Sequence, residues 1–380
     1  MYVLMVVPSD FPNGDAGAVR DEAFALIYKE LGYDVHLVGK STKNKSGNYN
    51  GTDYVSIYKN TPGICGQLER FLFEHKDYQR VVDEWINQYG SPSVIHINSI
   101  PEKSIDYLIT LADEYSIPIV HDSVEWYSAC EFPKGKLDKA YILKDRLNRK
   151  VIREPVRVYS ISSYLNDHFK GRGLKSCRIP VIMDVLGTTV GYETGSDKVK
   201  LIYAGSPATK DYLKEMVLGV EMLSEADKNK IEFNMLGVTD EQIKDITGLS
   251  ELSSCLKAHG RVPRQTVQEE LLKSDFSVLL RPADERYARA GFPTKSVEAM
   301  AHGVAMLCNL SSDLGMYLSD MKNSVIVEGY TSESFSAAVK KVLSLDRKQI
   351  DDIKRQARMT AEINFDYRLW KHTVKTLIEE

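Results

Sequence analysis

The chain repeats one pattern along most of its length: a short apolar, β-prone run is followed by a longer stretch with helical spacing. The first such run, YVLMVV (2–7), is continuously apolar, as expected for a parallel strand buried on both faces. Residues 20–31 then place apolar side chains on one helical face, and Gly32 follows as a stop signal. This alternation predicts an α/β fold with a mostly parallel, doubly wound sheet.

The pattern restarts after a polar, glycine-containing stretch at 187–198, which we interpret as a linker. Further apolar runs follow it at 200–206, 231–237, 276–280 and 305–309. A chain of 380 residues has room for two to three domains. We therefore expect two Rossmann-like domains, at 1–183 and 184–364, with a last helix at 365–380 that crosses back to the first. Ligands of such sheets bind at the carboxyl ends of the strands, so the predicted site is a cleft between the domains.

Bulk composition excludes several classes of protein. The net charge of −4 argues against a protein built to bind nucleic acid. The five cysteines form no CxxC pair, which predicts reduced thiols and no zinc site. The N-terminus lacks the basic start of a signal peptide, and no apolar run is long enough to span a bilayer. We expect a soluble cytoplasmic protein, at most peripheral on the inner face of the plasma membrane.

Two segments place glycines where a strand turns into a helix. Gly14 and Gly17 follow the first strand, and such glycines let a ligand approach the backbone, although an ordinary glycine-containing turn looks the same. Arg20, just beyond them, either reaches a phosphate or lies on the solvated face of the helix. The second segment is GFPTKSVEAMAHG (291–303).

In this second segment a tight loop is predicted to lead into a helix over 296–302. The loop residues are Gly291, Phe292, Pro293 and Thr294. Backbone amides of 292–296 are then expected to point at a bound diphosphate or sugar. Glu298 lies within reach of a ribose diol, because a carboxylate accepts two hydroxyl donors at once. A glutamate that merely complements the helix dipole would have the same spacing.

GFPTKSVEAMAHG resembles the nucleotide-sugar loop of retaining GT-B glycosyltransferases of family 4, which build bacterial polysaccharides. The family motif has two glutamates eight positions apart; Glu298 matches the second, and Ala290 stands in place of the first. The resemblance implies that Glu298 binds the ribose of the donor. Lys295 becomes a candidate for the sugar contact that Ala290 cannot make.

Other segments agree with the family in order and spacing. Gly205, Ser206 and Lys210 fall on its phosphate-binding segment, where Ser206 replaces the usual arginine. Backbone near Arg261 and Val262 is implied to meet the nucleobase. Arg281, at the end of a predicted strand, becomes the candidate for the second phosphate charge.

In the first domain, Gly17 falls on the loop that closes over the diphosphate in the family. The segment at 117–133 falls on the strand and loop that usually carry an active-site histidine, and here it offers His121, Asp122 and Glu125. Glu125 lies nearest to the family's histidine position, so the resemblance makes it the preferred acceptor-side catalytic or sugar-binding residue. His121 also fits a structural histidine at a strand end. Arg20 completes the acceptor-side set.

The chemistry implied by the resemblance is retaining glycosyl transfer without a metal or other cofactor. The donor is a nucleotide-sugar, with UDP favoured, and the acceptor is a saccharide, free or lipid-linked. Lys210 and Arg281 are expected to stabilise the charge that develops on the leaving diphosphate. The segment 134–157 carries nine basic and three acidic residues. Leu137, Tyr141, Leu147 and Val151 would give it an apolar stripe, so it predicts either a membrane-surface helix or an ordinary helix packed on its own sheet.

Three alternatives remain open from the sequence. Another GT-B enzyme, such as a UDP-sugar epimerase, would convert a sugar nucleotide without an acceptor. A non-catalytic member would bind a nucleotide-sugar or a partner glycosyltransferase, which the loss of the first glutamate at Ala290 allows. A dehydrogenase is disfavoured, because no GxGxxG follows any predicted strand.

Overall fold

The computed structural model of this chain describes residues 1–12, 14, 16–41, 45–57, 63–191, 197–205 and 210–380. These residues divide into two compact units. Unit 1 contains Met1–Asp184 and Tyr367–Glu380, and unit 2 contains Val185–Asp366. Each unit holds one sheet flanked by helices, which confirms the predicted α/β class.

The sheet of unit 1 is built around β1, whose residues are all buried. Its strands are β1 Tyr2–Val6, β2 Asp34–Lys40, β3 Lys45–Tyr49, β4 Thr52–Ile57, β5 Val94–Ile97, β6 Ile119–Ser123, β7 Arg157–Ser160 and β8 Ser176–Arg178. They lie in the order β3-β4-β2-β1-β5-β6-β7-β8, and β3 is antiparallel to β4 while the other described neighbours are parallel. Continuous apolar strands such as β1 can only be stable with helices on both faces.

The helices of unit 1 include the last helix of the chain. They are α1 Ala16–Glu30, α2 Gly63–Tyr89, α3 Glu102–Tyr115, α4 Lys139–Arg146, α5 Ser163–Gly171 and, at the end of the chain, α14 Lys371–Glu379. Val374, Leu377 and Ile378 of α14 are buried in one core with Phe24 and Ile27 of α1. The C-terminal helix therefore belongs to the same core as the N-terminal strand, as the predicted return of the chain to its first domain requires.

The sheet of unit 2 is parallel throughout its described strands. These are β9 Val199–Ala204, β10 Ile231–Leu236, β11 Leu256–Ala258, β12 Phe276–Leu279, β13 Ala305–Cys308 and β14 Ser324–Ile326. Their order is β11-β10-β9-β12-β13-β14. The chain moves outwards from β9 on one side and then returns to β12 on the other, so β9 and β12 flank a switch point of the topology. Ligands of open α/β sheets bind at such a point, beyond the carboxyl ends of the strands.

Helices cover both faces of this sheet. They are α6 Leu213–Glu221, α7 Glu225–Lys228, α8 Asp240–Thr247, α9 Arg264–Leu272, α10 Arg286–Ala290, α11 Thr294–Ala301, α12 Ser332–Leu343 and α13 Arg347–Asn364. α11 is held at its C-terminal end by the buried Arg358 of α13, which donates a hydrogen bond to the carbonyl of Ala301. Gly303 follows with a positive φ of 77°, which ends the helix as predicted.

The structure does not form the predicted amphipathic helix over 134–157. The segment forms a 3₁₀ turn at Gly135–Leu137, the short helix α4, and a π turn at Leu147–Val151. Asp138 starts α4 by accepting a hydrogen bond from the Ala140 amide, which separates Leu137 from the helix. Leu137 is 85% exposed, whereas Val151 is buried. The two side chains therefore do not share a stripe.

The hairpin β3–β4 and the edge strand β8 were not foreseen from the sequence, because β3 (KSGNY) and β8 (SCR) have no apolar run. No helix in the described part of the chain is both long and apolar enough to cross a membrane.

Candidate active site

Unit 2 contains a pocket of about 290 Å³ at the carboxyl ends of its central strands. It is lined by Ala204, Gly205, Leu236, Gly237, Arg261, Val262, Val267, Leu271, Ser277, Lys295 and Glu298. Ala204 and Leu236 are the last residues of β9 and β10, and Ser277 lies in β12. The pocket thus lies at the topological switch point, where the fold is expected to bind its ligand. The structure brings five residues predicted from sequence together here: Gly205, Arg261, Val262, Lys295 and Glu298.

Gly205 leaves the space that the Lys295 ammonium group occupies beside this pocket. A Cβ atom at this position would lie 2.8 Å from Lys295 Nζ and 3.1 Å from the Tyr203 hydroxyl. Any larger residue would therefore force Lys295 away from its place. The next glycine of the lining, Gly237, has a φ of +96°, a conformation that other residues rarely adopt.

Asp211 joins two predicted donor-site residues, the phosphate candidate Arg281 and the sugar-contact candidate Lys295. Its Oδ1 accepts a hydrogen bond from Arg281 Nε (2.7 Å), and its Oδ2 accepts one from Lys295 Nζ (2.5 Å). The Tyr203 hydroxyl also donates to Oδ2, at 3.0 Å. Burial alone would raise the pKa of Asp211, but the charges of Lys295 and Arg281 outweigh it and lower that pKa to about 2. Asp211 is therefore ionised throughout the physiological range.

Burial lowers the pKa of Lys295, and the neighbouring Asp211 carboxylate opposes that shift. The Lys295 ammonium also lies 4.6 Å from the centroid of the Tyr203 ring. Asp211 was not recognised in the sequence. The signal that could have found it is an acidic residue directly after Lys210, in the segment that resembles a phosphate-binding loop.

Glu298 lies on α11, one turn after Lys295, and its half-buried side chain lines the pocket. Arg264 Nη2 lies 3.4 Å from Glu298 Oε1, a long contact between two partly exposed groups. Among the described residues this is the hydrogen bond that the Glu298 carboxylate accepts, and its length leaves the carboxylate able to accept other donors. A ligand hydroxyl is one such donor.

The loop before α11 differs in part from the prediction. Phe292 is buried and packs edge-on against Tyr317 and Phe365, with ring centroids 5.9 Å and 5.8 Å apart, so its side chain is a core residue. Gly291 accepts a hydrogen bond from the Ser312 hydroxyl through its carbonyl. Pro293 is the N-cap residue and Thr294 begins the helix, two residues earlier than predicted.

The expectation that all amides of 292–296 point at a ligand is also corrected. The Ser296 amide donates to the Pro293 carbonyl at 3.0 Å, which uses it within the first turn.

Lys210 and Ser206 complete the predicted donor set. The Lys210 ammonium lies 5.9 Å from the centroid of the Tyr287 ring, and Lys210 is not part of the pocket lining. Its neighbour Asp211, rather than Lys210 itself, makes the contact with Lys295. Ser206 lies outside the described residues.

In unit 1 the predicted acceptor-side residues Arg20 and Asp122 are bound to each other. Arg20 Nε and Nη2 donate to the two carboxylate oxygens of Asp122 at 2.7 Å and 2.8 Å. The guanidinium also donates to the backbone carbonyls of Ile179 and Pro180. Both side chains are buried, so Arg20 lies neither on the solvated face of α1 nor free for a phosphate. The pair instead fastens α1 and β6 to the segment after β8.

The remaining first-domain candidates differ in accessibility. His121 is buried in β6, and desolvation lowers its pKa to about 4, so its imidazole is neutral at pH 7. Within the described residues its Nδ1 has no hydrogen-bond partner. Glu125 is exposed, and its backbone carbonyl accepts a hydrogen bond from Asn148 at 3.1 Å. Gly17 is the second residue of α1 and is half-buried.

Solved structures share this fold over the whole chain. Sucrose-phosphate synthase from Thermosynechococcus elongatus matches with a TM-score of 0.77 at 11% identity, over 99% of this chain and 98% of that one. WaaG, a glycosyltransferase involved in lipopolysaccharide biosynthesis, matches with a TM-score of 0.68 at 12% identity, over 99% of both chains. Anabaena Alr3699/HepE, crystallised with UDP-glucose, matches with a TM-score of 0.69 at 12% identity, also over 99% of both. The chain therefore has the GT-B fold.

The sequence of unit 2 gives the family. Residues 192–360 match the family model described as glycosyl transferases group 1. This stretch is a domain of that family, and the protein is a glycosyltransferase that takes its sugar from a nucleotide-sugar. The family and enzyme class predicted from the sequence are thereby confirmed. Comparison with curated protein sequences gives no match.

Proposed function

We propose that this glycosyltransferase binds a UDP-sugar in the pocket of unit 2 and transfers the sugar, with retention, to a saccharide acceptor in bacterial surface polysaccharide biosynthesis. The observation that carries the proposal is the composition of the pocket. Lys295 lies on one side of it and Glu298 one helical turn away, while Arg261 and Val262 complete the lining. A cation suits a diphosphate, a carboxylate suits a ribose diol, and backbone near Val262 suits a base edge.

The proposed chemistry needs no metal. As the anomeric bond breaks, negative charge collects on the leaving diphosphate. Arg281 and Lys295 are bound to one carboxylate, so the two cations lie close together, and we assign them to stabilise this charge together with Lys210. The acceptor hydroxyl attacks from the face that the nucleotide leaves, and the departing phosphate accepts its proton.

Residues 1–183 and 365–380 are proposed to form the acceptor domain, and 184–364 the donor domain. Glu125 is the proposed acceptor-side catalytic residue, because it is the exposed acidic group directly beyond β6. Gly17, at the start of α1, is proposed to face the donor. The buried residues Arg20, His121 and Asp122 support this region from inside unit 1.

A lipid-linked acceptor is supported by the exposed surface around α4. Leu137, Ile142 and Leu143 are exposed there among basic residues of the 134–157 segment. Apolar side chains beside lysines and arginines bind anionic membrane surfaces. We propose that this surface contacts the inner face of the plasma membrane, and flotation with phosphatidylglycerol vesicles tests it. The protein is expected to float with these anionic vesicles and not with neutral ones. A protein that stays at the bottom of the gradient with both kinds of vesicle contradicts the membrane role.

The donor is tested by a thermal-shift screen with UDP-, GDP- and dTDP-sugars. A true donor at one hundred times its Kd stabilises the folded state by about 2.7 kcal/mol. In a unit of this size that raises Tm by roughly 5–10 °C. Glu298→Gln is expected to reduce the shift, whereas Glu269→Gln, on the surface of α9, is the matched control. Equal shifts for the wild type and Glu298→Gln would contradict the ribose assignment.

A further inference from the structure

Asp211 receives hydrogen bonds from three separate elements of unit 2. Tyr203 belongs to β9, Arg281 follows β12, and Lys295 lies on α11. The carboxylate itself is only 7% exposed, so these interactions are shielded from bulk water. A buried carboxylate with three donors restrains all three partners, because a donor that leaves is not readily replaced by water.

The backbone around this cluster is also fixed. The Tyr212 amide donates to the Leu280 carbonyl at 3.0 Å, which ties the turn containing Asp211 to the end of β12. Asn309, after β13, bonds both the amide and the carbonyl of Arg281, at 2.9 Å and 2.6 Å. Asp211 and Arg281 are therefore held by neighbouring strand ends rather than by a free loop.

The two cations keep donors for a ligand. In the described part of the chain the Lys295 ammonium makes one hydrogen bond, to Asp211, out of the three that it can donate. The Arg281 side chain uses only its Nε among described contacts. Both side chains retain some exposure, 16% for Arg281 and 20% for Lys295. Asp211 is shared by both cations, so it neutralises only one of the two positive charges in this hydrogen-bonded group, which suits an anionic ligand.

We propose that Asp211 is a positioning residue of the donor site, which holds the Lys295 ammonium and the Arg281 guanidinium side by side where the donor's diphosphate binds. This inference rests on the proposed function and adds to it the group that sets the geometry of the phosphate contacts. The space for Lys295 exists because Gly205 has no side chain. Asp211 touches neither the reacting atoms nor the sugar; it acts through its two partners.

The role predicts a pH signature that a merely structural carboxylate would lack. Lys295 is desolvated, so it depends on a nearby negative charge to keep its proton. The charged and titratable groups that face it are Asp211, Tyr203, Arg281 and Glu298. Removing the Asp211 charge leaves Arg281 opposing protonation of Lys295, and among the described residues the Glu298 charge and the Tyr203 ring still favour it. Asp211→Asn should therefore lose the Lys295 charge at a lower pH than the wild type.

The experiment measures the affinity of the full chain for UDP-glucose by titration calorimetry at about pH 6.5 and about pH 8.5, because the diphosphate diester keeps its charge across this range. We expect Asp211→Asn to bind more weakly than the wild type at both pH values, because the two cations lose their common partner. The loss should reach about tenfold at the higher pH, where Lys295 also loses its charge. The double variant Asp211→Asn/Lys295→Arg should regain the pH dependence of the wild type, because a guanidinium needs no counter-ion to remain charged.

Asp275→Asn is the matched control. Asp275 is also buried between an arginine and a lysine of unit 2, Arg347 and Lys354, but it lies before the opposite end of β12. This variant should lose stability and keep the pH dependence of the wild type. Should Asp211→Asn not fold, Asp211→Glu tests the idea, because it keeps the charge but shifts the two cations from their observed places. It should weaken UDP-glucose binding at both pH values, and binding equal to the wild type overturns the proposal.

Identical pH dependence in the wild type and Asp211→Asn overturns the proposal, as does a double variant that keeps the pH dependence of Asp211→Asn. A wild-type chain that binds UDP-glucose at neither pH instead overturns the proposed donor, and the inference with it.

Discussion

Replacing Arg20 by methionine should strongly destabilise unit 1, because the change leaves the Asp122 carboxylate buried without its partner. Arg20 makes two hydrogen bonds to that carboxylate and one each to the carbonyls of Ile179 and Pro180. Asp122 is fully buried, so water cannot replace the lost donors. Breaking a buried ion pair from one side costs about 3–5 kcal/mol. In a unit of about 200 residues this lowers Tm by roughly 6–20 °C.

The assay can read unit 1 alone. All three tryptophans of the chain, Trp85, Trp126 and Trp370, belong to that unit. Thermal unfolding followed by tryptophan fluorescence therefore reports unit 1 without a contribution from tryptophans in unit 2. This matters because the unfolding of a two-unit chain is not a single two-state transition.

The control is Arg80→Met, which removes an exposed arginine that pairs with Glu84 on the same helix at 2.8 Å. An exposed pair of this kind contributes at most about 1 kcal/mol. The double variant Arg20→Met/Asp122→Leu should recover much of the loss, since no unpaired charge is then buried. A loss of about 1 kcal/mol would separate the Tm of Arg20→Met from that of the control by only about 2–3 °C. A difference that small would refute the structural role of the pair. Arg20 would then again be a candidate for ligand binding.

Acidification should destabilise unit 1 between about pH 6.5 and pH 4, because burial lowers the pKa of His121 to about 4 and the unfolded chain then binds the proton more tightly. Above about pH 6.5 the contribution of neutral His121 to stability is fully present. His121→Phe should therefore make the fluorescence-detected Tm of unit 1 depend less steeply on pH, and an unchanged slope would contradict this. Gly205→Ala should weaken UDP-glucose binding about tenfold in calorimetry, since the new Cβ displaces Lys295, whereas Gly171→Ala, which meets open space, should bind normally. Glu298→Gln should raise the KM for the donor more than it lowers kcat if the contact to the ribose is equal in the ground and transition states. A pure kcat effect would place Glu298 at the reacting atoms instead.

Most of the strands could be predicted from the sequence because their patterns are local. YVLMVV is apolar at every position, so it can only be stable with both faces covered, and the structure buries all of β1. The loop and helix at 291–303 could also be predicted, since Gly291 and Pro293 mark the loop and the residues after them have helical spacing, and neither signal needs a distant partner. The edge strands β3 and β8 were not, because their polar residues pair only when a neighbouring strand is already in place.

By itself the sequence determined the class of fold, the family and the candidate donor residues Gly205, Lys295 and Glu298. Only the tertiary structure decided which charges meet. Asp211 lies 70 residues from Arg281 and 84 from Lys295, and Arg20 lies 102 from Asp122. Whether such groups touch depends on the order of strands in a sheet and on how each helix packs on it. These long-range contacts are determined by how the whole core packs, so they cannot be predicted from any short segment of the sequence.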